Sequence, residues 1–88
     1  MLSQTFSALS DPTRRQILEL LKTQDFSAGD LGKNFPITAP SLSHHLGVLK
    51  QAGLIASRRQ GQEIIYSINL SAFEELAEAV ISFFKINN

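Results

Sequence analysis

Apolar residues recur along this chain with a helical period, then an alternating one, then a helical period again. Residues 2–9 put Leu2, Phe6 and Leu9 on one side of a helix too short to stand alone, so it must dock on something. Ser10-Asp11-Pro12 is a start signal: Asp11 can cap free amides, and Pro12 sits where its missing N–H costs nothing. The helix it opens is predicted over 12–22, with Ile17, Leu18, Leu20 and Leu21 as its apolar side. Residues 23–26 read as a connector. Ser27 with Asp30 resembles a capping box, opening a short helix over 27–34 that buries Leu31 and Phe35. Pro36 and Ile37 form a turn.

Residues 38–53 then read as one helix with an apolar edge of Leu42, Leu46 and Leu49, ended by Gly53. After Gly53 the period becomes two. Residues 54–58 and 63–68 are predicted as strands, with Ile64, Tyr66 and Ile68 on one face and a four-residue tip at 59–62 that turns at Gly61. Ser71 and Glu74 form a second capping box, opening a last helix to about residue 85. The order α-α-α-α-β-β-α is mainly α with a small β-hairpin, and a helix-turn-helix followed directly by a hairpin is a winged helix-turn-helix.

That last helix carries more apolar surface than one small domain needs. Phe73, Leu76, Ala77, Val80, Ile81, Phe83 and Phe84 cover about 160° of its wheel, wider than a docking stripe. With 88 residues the chain is expected to be one domain and marginal alone, and a second copy is the natural source of extra core. The expected interface joins the terminal helices at 2–9 and 71–86 through Leu2, Phe6, Leu9, Phe73, Leu76, Ala77, Val80, Phe83 and Phe84.

Composition removes several classes of function. There is no Cys, so disulfides, Cys-based zinc sites and thiol catalysis are excluded. Neither a signal peptide nor a run of about 20 apolar residues is present, which makes the cytoplasm the expected location, without stable membrane association. No separated His–carboxylate arrangement or phosphate-cradling glycine loop points to an enzyme. The net charge is zero, but its distribution is uneven. From Lys33 to Gln62 there are Lys33, Lys50, Arg58 and Arg59 and no acid, between two acidic flanks. Such a basic middle third suits phosphates.

Within it, the helix over 38–53 presents a face without charge or bulk: Pro40, Ser43, His44, Gly47 and Gln51, with Ser41 at the margin. Ser and His can exchange hydrogen bonds with base edges in a DNA major groove. Ser41, Ser43 and His44 are the expected base contacts, with Pro40 and Gly47 allowing close approach. Thr38 at the helix N-terminus, Lys33 and Lys50 would hold phosphates. Arg58, Arg59 and Gln60 would reach flanking backbone or minor groove from the wing. His44 and His45 point about 100° apart, unlike the i,i+4 pairs that chelate metal. His45 is expected to be a partly buried, hydrogen-bonded support. Arg14 and Arg15 read as solubilising or paired with acids such as Asp11 and Glu19, with phosphate contact as the other reading. A winged helix used only for protein–protein contact is the alternative function, although such modules usually lose the basic wing tip and polar face.

Three strings together, ALSDPTRRQILELL (8–21), SLSHHLGVLKQAGLI (41–55) and RRQGQEIIYSIN (58–69), resemble the ArsR family of bacterial winged-helix repressors. Within it the chain is most like small metal-independent autorepressors of the sporulation-delaying type. The resemblance implies a homodimer on double-stranded DNA with an inverted repeat, and repression of a promoter, often its own. Many relatives sense metals, but the C-x-C-D-L site of such sensors is here Ser27-Ala28-Gly29-Asp30-Leu31. The last helix, the other common sensor site, has only Glu74, Glu75 and Glu78 as carboxylates and no His, with Phe83, Phe84 and Ile86 at its inner positions. No metal and no cofactor is therefore expected, and an inducer, small molecule or protein, stays unidentified.

Overall fold

The computed structural model describes residues 2–85; Ile86, expected at the end of the dimer seam, lies outside them. Helix α1 spans Leu2–Leu9 and α2 spans Pro12–Thr23. Asp11 Oδ2 accepts from the Arg14 N–H at 3.0 Å, capping α2 with Pro12 in its first turn. Strand β1 (Phe26–Ser27), helix α3 (Ala28–Gly32), helix α4 (Ala39–Gln51), strands β2 (Ile55–Gln60) and β3 (Glu63–Ile68), and helix α5 (Leu70–Phe84) follow. The fold is mainly helical, as expected, and its winged helix-turn-helix is α3, α4 and the β2–β3 hairpin.

Three local expectations are corrected. The sheet has three antiparallel strands in the order β1-β3-β2, because Phe26 pairs with Tyr66 and Ser27 with Ile65. Ser27 does two tasks there: it is buried in the sheet edge, and its Oγ accepts from the Asp30 N–H at 3.1 Å to cap α3. The hairpin is tighter than expected. Gln60 pairs with Glu63, leaving only Gly61 and Gln62 in the turn, so Arg59 and Gln60 belong to β2. Gly61 has φ 67° while every described non-glycine residue keeps φ negative, the combination a type II′ turn requires. Finally, α5 is capped not by Ser71 but by Asn69, whose Oδ1 accepts from the Ala72 N–H at 3.4 Å.

The core is built from α1, α2, α3, α4 and the entry to β2: Ala8, Ile17, Leu18, Leu21, Leu31, Leu42, Leu46, Leu49, Leu54 and Ile55. Each large side chain among them contributes about 1.5–3 kcal/mol relative to exposure. The end of α4 is fastened particularly well. Gly53, at φ 78°, donates its N–H to the Lys50 carbonyl at 2.9 Å, and Leu54 donates to the Leu49 carbonyl at 3.0 Å. This is the paired bonding of a Schellman stop, completed by the buried contact of Leu49 and Leu54. Asn69 Nδ2 donates to the Gly53 carbonyl at 2.8 Å, tying the start of α5 to the same turn. Beyond that start α5 buries nothing. Among the described residues no helix is long and apolar enough to cross a membrane.

Candidate nucleic-acid interface

Leu42, Leu46 and Leu49 anchor α4 in the core, which fixes what it presents outward. Pro40, Ser43, His44, Gly47, Lys50 and Gln51 are exposed, and Ser41 is half-buried at the margin. This face contains no carboxylate. Gly47 sits inside the helix, where glycine costs about 0.5–1 kcal/mol relative to alanine. A Cβ built there would meet nothing within 4 Å, so packing within the chain does not call for glycine.

Thr38 is the N-cap of α4, its Oγ1 accepting from the Ser41 N–H at 3.2 Å. The hydroxyl proton stays available to a phosphate. Lys50 is in the last turn and exposed. Lys33 is exposed but pairs with Asp30 at 3.4 Å. On the wing, Arg58, Arg59 and Gln60 are all exposed at the end of β2, and alternation along the strand sends the two arginines to opposite faces. Arg58 Nη1 lies 3.0 Å from Asp25 Oδ2, whereas Arg59 makes no ion pair among the described residues. Both members of the Arg58–Asp25 pair are about half exposed, so it is worth at most about 1 kcal/mol and a phosphate can compete for the arginine.

His44 points outward, and His45 turns inward, its side chain 14% exposed. Its Nδ1 accepts from Arg14 Nη1 at 3.2 Å and lies 3.8 Å from Asp11 Oδ2. The support role expected of His45 is what the contacts give it. The arginines differ from expectation. Arg14 donates to the Ser7 and Ala8 carbonyls and Arg15 to the Leu9 carbonyl, so both close the open end of α1 instead of pairing with acids. Glu19 pairs with Lys22. The Arg14 backbone N–H, helped by the Arg14 guanidinium and the Thr13 N–H, holds the Asp11 carboxyl below the usual carboxylate range against partial burial.

Two residues of this region escape a reading of α4 alone. Gln4 and Ser7 of α1 line an open groove of about 460 Å³ together with His44, Gly47, Val48 and Gln51. Their i,i+3 spacing, opposite Leu2 and Phe6, is the signal that places them on one polar face. At the other side of α1, Leu2 and Phe6 meet Ala79, Val80, Phe83 and Phe84 around an almost wholly apolar groove. Phe83 and Phe84 are 81% and 73% exposed, Leu2 and Phe6 47% and 51%. Leu9 and Phe73, expected at the same seam, pack on the core of their own chain; Leu76 is half-buried and Ala77 exposed. Among the described residues, no three His, Cys, Asp or Glu side chains gather.

A model of the family described as "Bacterial regulatory protein, arsR family" matches residues 11–57. The chain is 46% identical over 82 residues to the transcriptional repressor SdpR of Bacillus subtilis, covering 93% of this chain and 91% of that protein. It is 38% identical to an arsenical resistance operon repressor of Staphylococcus xylosus, over 77% of this chain but only 65% of that one. Among solved structures, an ArsR-like transcriptional regulator from Rhodococcus sp. RHA1 matches with a TM-score of 0.86 at 33% identity, covering 93% of this chain and 77% of that chain.

Proposed function

The chain belongs to the ArsR family of bacterial regulatory proteins, and we propose that it is a repressor that grips an inverted-repeat operator as a homodimer without a resident metal. It is a DNA-binding transcriptional regulator and not an enzyme. The observation that carries the finer reading is the outward face of α4: exposed, free of carboxylates, and holding at Gly47 a gap that nothing in the chain requires. Ser41, Ser43 and His44 contact base edges, and Pro40 and Gly47 let the backbone approach. Thr38, Lys33 and Lys50 hold phosphates near the helix, with Arg58, Arg59 and Gln60 reaching outward from the wing. Arg58 exchanges Asp25 for a phosphate as it does so.

Leu2, Phe6, Val80, Phe83 and Phe84 supply the seam to a second copy, with Leu9, Phe73, Leu76 and Ala77 behind it or along its edge. Exposed apolar surface concentrated in one groove favours this occupant, and a two-fold seam is self-complementary. Half-site centres then lie about 34–36 Å apart. Regulation without metal fits Ser27 and Gly29 at the positions where sensors carry thiolates, and a last helix without His. The resemblance extends the reading to autoregulation in the cytoplasm, with a small molecule or a protein as inducer. Selection of bound duplexes from random DNA tests the core of it. Enrichment of a two-fold repeat supports dimeric recognition, and recovery of no preferred sequence would sink it.

A further inference from the structure

Arg14 stands where three helices meet. Its Nε donates to the Ala8 carbonyl at 2.7 Å and its Nη2 to the Ser7 carbonyl at 3.1 Å, both at the end of α1. Its Nη1 reaches His45 Nδ1 on α4 at 3.2 Å. Its own N–H is held by Asp11, the cap of α2, whose carboxylate also faces His45. A guanidinium is a rigid planar fork, so three donors engaged on two elements fix the angle between those elements, which a single ammonium cannot do. Ala8 is fully buried and His45 nearly so, which leaves little slack at either end.

We propose that Arg14 and His45 are positioning residues for DNA recognition: the Arg14 fork sets the orientation of α4 against α1, and hence the separation and tilt of the two reading helices in the dimer. This rests on the reading of α1 with α5 as the seam and of α4 as the reading helix. Arg14 is half-buried with all three guanidinium nitrogens engaged inside the chain, so it acts on operator recognition and not on general affinity for phosphate.

The test compares His45→Leu, His45→Gln, Arg14→Lys and the Arg14→Lys/His45→Leu pair. For each, affinity is measured for the duplex enriched from random DNA and for an unrelated duplex, with sedimentation reporting the dimer. His45→Leu and Arg14→Lys are each expected to lower operator affinity by about 3- to 30-fold, the range of positional coupling. Affinity for unrelated DNA stays within about twofold, and the double variant is no weaker than the weaker single one because both break one link. His45→Gln, whose amide oxygen can accept from Arg14 in place of Nδ1, recovers most of the loss. Operators with half-sites moved by one base pair lose less affinity in His45→Leu than in the parent.

Additive losses in the double variant, or operator and unrelated DNA weakening together, would overturn the proposal. Where Arg14→Lys fails to fold, the two His45 variants decide, and His45→Leu binding as the parent does removes the link. A parent chain that neither dimerises nor enriches a repeat removes the premise and the proposal with it. A parent that does both, alongside unchanged variants, removes the proposal alone.

Discussion

Helices α4 and α5 are nearly equal in length, 13 and 15 residues, and both carry apolar stripes, yet they dispose of them in opposite ways. In α4 the three leucines are spent inside the chain, and the polar side is what remains to meet a partner. In α5 no residue is buried, and the apolar side is what remains. One helix offers hydrogen bonds and the other offers hydrophobic area. A small protein proposed to join both DNA and its own copy needs both kinds of leftover surface on separate helices. The link between them runs through Asn69, which holds the start of α5 to the turn that ends α4.

The largest effect expected from breaking this division is at Phe84. Phe84→Asp puts a charge into the apolar groove while touching no core residue. The variant should sediment as a monomer and lose about 100-fold or more in operator affinity, because two half-sites no longer act as one. An intact dimer would take α5 out of the seam. Leu49→Ala strikes the other helix where its apolar edge is consumed: Leu49 is fully buried, so about 2–5 kcal/mol of stability should go, read from denaturant midpoints. Phe83→Ala, measured on the monomeric Phe84→Asp background, should change stability by less than about 0.5 kcal/mol, as for a surface site. Equal losses at the two positions would erase the contrast.

His44→Ala tests the polar leftover directly. Discrimination between operator and unrelated DNA should fall by about 1–3 kcal/mol. Equal weakening on both duplexes would make His44 a phosphate contact. Acid should loosen the start of α2, which Asp11 caps. Its folded carboxyl titrates below its unfolded value, so its contribution is present above the ordinary carboxylate range and disappears as pH falls through the folded pKa. Asp11→Asn keeps a cap acceptor without a titrating group and should flatten the acid limb of stability below the ordinary carboxylate range. An acid limb identical in the two proteins would clear Asp11 of that role.

Signals carried by neighbours in sequence were legible, and those that depend on distant partners were not. Asp11-Pro12 and Gly53 mark helix ends through bonds three to five residues away, and both stand as read. The leucines of α4 were legible because period alone aims them inward. β1 was not, since two residues become a strand only by pairing with Tyr66 and Ile65. Asn69 prevailed over Ser71 as the cap of α5 because its amide also bonds to Gly53, sixteen residues back. Arg14 looked like half of a local acid pair, but its partners are carbonyls of α1 and a ring on α4. The exposed polar side of α4 was legible from its own period, whereas the contacts of Arg14 across to α1 and His45 were not.

A small expected effect gives the sharpest contrast, because its two readouts have opposite signs. Gly47 lies within α4, and a methyl group there meets nothing in the chain. Gly47→Ala should therefore stabilise the free protein by about 0.5–1 kcal/mol through helix propensity alone. On DNA the same methyl group would occupy the space through which the backbone approaches the groove, so operator affinity should fall. Thermal unfolding without DNA and titration with operator, done on the same preparation, read the two signs. A rise in stability with undiminished operator binding would place Gly47 outside the contact surface and shift the reading edge of α4 toward Ser41, Ser43 and His44.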